Sequence, residues 1–113
     1  MENLIIEALS GFNLPIYNQD VPDDELTNMH YFYFRKTNMT RSGTGYAVVQ
    51  FEVAYVSTNQ EDMMEDEVIE ALEGKGFKWQ DTDYERIRME STNSFADIII
   101  HRITKPKKRA CRG

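Results

Sequence analysis

Two histidines, one cysteine and nineteen carboxylates are the groups in this 113-residue chain from which catalysis or metal binding would have to be built. Asp23 and Asp24 stand side by side in a polar stretch, residues 18–28. That stretch lacks the alternating oxygen ligands and the turn glycine of a calcium loop. Gly43-Thr44-Gly45 has the glycine content of a phosphate loop, without the Lys-Ser/Thr ending or the helix that would follow. His30 and His101 have no serine or cysteine beside them in a nucleophile context. His30 reads as a strand-end residue. Cys111, near the C-terminus, has no partner for an internal disulfide and no His or Cys cluster around it. The acids between Glu61 and Glu73 are most simply the solvated face of a helix. No nucleophile with its base, no metal spacing and no phosphate cradle survives, so the chain reads as a non-enzyme without cofactor or metal.

Composition bounds the rest. Hydrophobic residues at 41% and charged residues at 28% are ordinary for one globular domain. No apolar run approaches the roughly 20 residues that span a bilayer, no secretory signal stands at the N-terminus, and the lone cysteine suits a reducing cytosol. Charge is unevenly placed. Residues 105–113 hold five of the thirteen basic groups and no acid, which leaves residues 1–104 at a net −11 within a total of −6. An acidic body repels nucleic acid at long range. The domain is therefore expected over 1–104, with 105–113 as a basic, disordered tail.

The elements that would position these groups follow from periodicity. Residues 46–56 form the central strand: Ala47, Val49, Phe51, Val53 and Tyr55 give one wholly apolar face, and the other face is mixed. Residues 2–10 have helical spacing through Leu4, Ile5, Ala8 and Leu9, with Gly11 as a left-handed C-cap. Leu14-Pro15-Ile16-Tyr17 is a short extended piece. Residues 29–37 form an aromatic strand with two rings on each face. Residues 38–45 form the mobile tip of the long hairpin joining that strand to the central one. A helix starts near Thr58 or Asn59, capped toward Glu61 or Asp62, and buries Met64, Val68, Ala71 and Leu72 before Gly74-Lys75-Gly76 stops it. Residues 77–80 and 84–90 read as separate strands around an Asp81-Thr82-Asp83 turn. Ile98, Ile99 and Ile100 want cover on both faces, which places the last strand centrally, with Pro106 as its end. The sum is an α+β fold, a single antiparallel or mixed sheet with a long hairpin packed against two helices.

The short helix, Leu14-Pro15-Ile16-Tyr17, Tyr31-Phe32-Tyr33-Phe34, Arg41-Ser42-Gly43, the strand leading into residues 57–62, and Gly76-Phe77-Lys78-Trp79 together resemble the tail terminator proteins of long-tailed bacteriophages and prophages. The likeness spans about residues 1–104. It implies a virion protein, present in the host cytoplasm during assembly, that forms a homo-hexameric ring. Such a ring would cap the tail tube protein, join the head–tail connector protein and let DNA pass through its channel. Another phage neck or connector protein has similar length and style. A cytosolic interaction domain using its aromatic strand as a sheet edge, and a nucleic-acid binder working through the basic tail, are the competing classes. Within the ring reading, the hairpin tip with Arg35, Lys36, Met39 and Arg41 is expected to engage an acidic face on the next subunit, that of the helix bearing Glu65 and Glu70.

Overall fold

The computed structural model describes residues 1–18, 30–57, 64–89 and 94–108. The elements are α1 (Glu2–Ser10), β1 (Ile16–Asn18), β2 (His30–Arg41), β3 (Tyr46–Ser57), α2 (Glu65–Glu73), β4 (Lys78–Met89) and β5 (Ser94–Lys108). The strands form one mixed sheet in the order β1-β2-β3-β5-β4, and the protein is an α+β fold with both helices on the same face. Only β1–β2 is parallel. It begins where the Phe32 N–H donates to the Pro15 carbonyl at 2.9 Å, so the proline lies just outside the ladder it cannot donate to.

The apolar face of β3 is the floor of the core. Val49, Phe51, Val53 and Tyr55 meet Phe32 and Phe34 from β2 and Ile103 from β5. Ile5 and Leu9 of α1 and Val68 and Leu72 of α2 cover them, each fully buried. Each such side chain contributes about 1.5–3 kcal/mol by leaving water. Phe77, edge-on to Phe51 at 6.1 Å, closes the end of the layer. A second buried cluster (Tyr31, Ala54, Val56, Ala96, Ile98 and Ile100) lies on the opposite face, so β3 and β5 are covered on both sides, as the isoleucine run demands.

Four local expectations are corrected. Gly11 is right-handed at φ −67, and Asn13 at φ 59 makes the left-handed turn after α1. Helix α2 begins only at Glu65, with Met64 left-handed at φ 52 as its N-cap rather than inside the helix, whereas Gly74-Lys75-Gly76 stops it as expected, Gly76 taking φ 90. The expected turn at Asp81-Thr82-Asp83 is instead part of one continuous strand. The register shifts by one residue between Trp79 and Asp81, a bulge that resets the inward alternation so that two half-patterns read as two strands. Pro106 does not end β5. It pairs with Val48, and residues 105–108 belong to the sheet rather than to a loose tail. A proline is tolerated there because β4 stops at Lys78 opposite Thr104, so β5 has become an edge. The N-caps at Thr58 and Asn59, the Asp23–Asp24 pair, the 91–93 turn, Arg109, Cys111 and Arg112 lie outside the described residues.

Phe51→Ala is expected to cost about 3–5 kcal/mol in urea denaturation, since it opens a cavity beneath both helices. Met39→Ala, out on the hairpin, should stay within about 0.5 kcal/mol. Similar losses at both positions would place the core elsewhere.

Candidate functional site

At 57 Å by 26 Å by 22 Å the molecule is elongated. Its sheet carries both helices at the middle, and residues 37–44 of the hairpin are all exposed. The end of β5 lies alongside that hairpin, with Lys108, Lys107, Pro106 and Lys105 opposite Tyr46, Ala47, Val48 and Val49. The projection is thus a three-stranded arm, in which residues 38–41, expected to belong to the tip, continue β2. Its segments, residues 36–51 and 103–108, contain Lys36, Arg41, Lys105, Lys107 and Lys108 and no acid.

A bulge decides which way the arm faces. The β2–β3 register shifts between Lys36 and Asn38, with the Thr37 hydroxyl donating to the Gln50 carbonyl at 3.3 Å. Past it, Met39 pairs with Val49 and Arg41 with Ala47, which turns both side chains onto the helix-bearing side of the sheet. Without the extra residue they would point the other way. Met39, Thr40, Arg41 and Ala47 line a cavity of about 190 Å³, with Met39 57% exposed at its rim.

The residues expected to form an interface divide. Lys36, Met39 and Arg41 share the helix-side face of the arm, with Lys36 4.0 Å from Glu2. Arg35 lies on the opposite face, engaged with Glu52 at 3.0 Å. There Arg35, Glu52, Arg102 and Asp81 form a row of alternating charge across four strands, with Arg102 also bonded to Asp83. The hydrogen bonds that Arg102 donates to Asp81 and then to Asp83 push its pKa above its ordinary value. Glu65 and Glu70 also part company. Glu65 accepts a hydrogen bond from the Tyr84 hydroxyl, which raises the phenol's pKa, whereas Glu70 is exposed. The exposed acids of α2 are Asp66, Glu67, Glu70 and Glu73. Sequence reasoning missed Lys105 and Lys107 as arm residues. The signal was present in the absence of any acid after Asp97 and in a partner strand, β3, long enough to pair with them.

Among the described residues both histidines are engaged by hydroxyl groups. His30 Nε2 shares a 2.6 Å hydrogen bond with the Tyr55 hydroxyl, closing the end of the core. His101 is fully buried on the helix side. Its Nδ1 is 2.8 Å from the Thr82 hydroxyl, which also accepts from Trp79 Nε1 at 2.9 Å, and its Nε2 has no partner among the described residues. Burial lowers its pKa, and the nearby Glu65 offsets this in part. Among the described residues no group of three or more His, Cys, Asp or Glu could hold a metal, and no helix is long and apolar enough to cross a membrane. No protein-family model and no curated protein matches the chain.

The arrangement at His101 gives a pH dependence. Its unfolded pKa is 6.5 and its folded pKa lower, so the stability it supplies is full above 6.5 and is lost as pH falls from there through the folded value. Urea midpoints measured at about pH 7.5 and about pH 5 should therefore drop on acidification. His101→Asn, which keeps a donor or acceptor toward Thr82, should drop less. An equal drop in both proteins would assign the effect to other groups.

Proposed function

We propose that this chain is a structural subunit that assembles head-to-tail into a ring, and that the ring serves as the tail terminator of a long-tailed phage or prophage. The observation that carries the assembly is the arm. An acid-free, three-stranded extension with Met39 and Tyr46 exposed at 57% and 50% projects from an otherwise acidic molecule. A side chain as apolar as Met39 on a projecting ribbon is what an interface core uses. Arm and body are different surfaces, so an arm reaching onto the body of the next copy is a heterologous contact, which closes into a ring when its rotation closes.

The phage setting rests on the resemblance in element order and local words, from the N-terminal helix through the aromatic strand to Gly76-Phe77-Lys78-Trp79. In that setting the ring caps the tail tube protein and offers a surface to the head–tail connector protein, while DNA passes through.

Polymerising tail tube protein from the same genome, mixed with this chain and viewed by negative-stain microscopy, tests the proposal. Tubes capped at one end and arrested in length are expected. Deletion of residues 39–44 should abolish capping while circular dichroism stays that of the parent, because the core lies elsewhere. Tubes that grow on uncapped beside the intact chain would sink the terminator reading.

A further inference from the structure

We propose that the arm is a receptor for helix α2 of a second copy, whose stripe Asp66, Glu70 and Glu73 lies over Ala47 with its carboxylates between Arg41 and Lys107. This rests on the ring reading and names the surface it leaves open.

The sheet register builds the receptor. Arg41, Ala47 and Lys107 lie in one row across β2, β3 and β5, and Met39, Val49 and Lys105 form the next row. Strands about 4.8 Å apart put Arg41 and Lys107 about 10 Å from each other, above a floor made of alanine. Met39 stands beside Arg41. Lys105 is pinned at the other side, donating to the Lys75 carbonyl at 3.2 Å and lying over the Phe77 ring at 5.5 Å. Ala47 is 2% exposed, covered by its neighbours' side chains, and it lines the cavity together with Met39, Thr40 and Arg41.

The stripe matches it. Asp66, Glu70 and Glu73 follow the i, i+4, i+7 spacing that aligns side chains along one helix face. At 1.5 Å per residue the stripe is about 10 Å long, the distance from Arg41 to Lys107. Asp66, Glu70 and Glu73 have no ion pair among the described residues, and neither do Arg41 and Lys107. Most other charges on this side already have a partner inside the chain: Lys36 is near Glu2, Lys75 meets Glu7, Arg86 meets Asp97 and Glu65 accepts a hydrogen bond from Tyr84. Two unpaired sets of opposite sign and equal length remain, at different places on one molecule. DNA phosphate could satisfy the basic set alone. A net charge of −6 disfavours it, and it would leave the acidic set unmatched.

Arg41→Glu with Lys107→Glu reverses the receptor, and Asp66→Lys, Glu70→Lys and Glu73→Lys reverse the stripe. All five positions are exposed, so the variants should melt like the parent. Each set alone is expected to lower the fraction of capped tubes about tenfold, and both together in one chain should restore it to within about twofold. A combined chain as inactive as the receptor variant would overturn the pairing. Full capping by the receptor variant, with capping lost on deletion of residues 39–44, would also overturn it and leave the ring reading standing. A receptor variant that caps normally and loses only salt-sensitive binding to duplex DNA would assign the arm to a polyanion instead. Failure of the parent chain to cap would remove both readings.

Discussion

The antiparallel ladder between β3 and β5 is the constraint to which the rest of the molecule conforms. It runs from Tyr46 opposite Lys108 to Ser57 opposite Asp97 without a shift in register. Both strands are buried on two faces over the stretch where the clusters lie, so a one-residue slip would exchange Phe51, Val53 and Ile103 for Glu52 and Arg102 at the helix interface. That cost fixes the register. The flanking strands adapt to it instead, each through one bulge, at Thr37 in β2 and at Gln80 in β4. The two bulges act alike: each lets a strand satisfy the core at one end and present a different set of side chains at the other.

In β4 the shift places Thr82 rather than Asp81 against His101 and turns Asp81 and Asp83 toward Arg102. A buried carboxylate beside a neutral imidazole would have been costly, and the bulge exchanges it for a hydroxyl. The row Arg35–Glu52–Arg102–Asp81 then occupies the opposite face, partly open to water. Exposed pairs of this kind are individually worth little. Their sharing of Glu52 and Arg102 makes the row a device for aligning four strands more than a source of stability.

Elements set by local periodicity were legible in the sequence: the Phe51 face of β3, the boundaries of α1, Val68 and Leu72 as the buried residues of α2, with Met64 and Ala71 only partly buried, and the central position of β5. What was not legible is what the bulges and the partner strand decide. Alternation broken at Gln80 looks like a turn, because a period-two pattern has no memory across an inserted residue. Pro106 looks like a stop because sequence alone does not reveal that β4 ends at Lys78 and leaves β5 an edge. The candidate site suffered most. Arg35 and Lys36 are neighbours in sequence and lie on opposite faces, and Glu65 and Glu70 sit on one helix with different duties. The cations that accompany Arg41 arrive from a segment more than sixty residues away.

The arm also explains a feature that stability alone would not favour. Residues 37–44 bury almost nothing, yet ordering each backbone residue costs about 1–2 kcal/mol. A shorter hairpin closed just past Val49 would keep the whole helix-covered core. Lys107 likewise adds a like charge to the same row as Arg41, and a sheet tolerates crowded like charge poorly. A ribbon that is extended, like-charged and weakly packed is a liability in an isolated monomer and an asset only when another surface completes it. The bulge at Thr37 fits this logic, because it turns Met39 and Arg41 away from the ion-paired face, where Arg35 and Glu52 already match. They come to rest on the side where Ala47 leaves room.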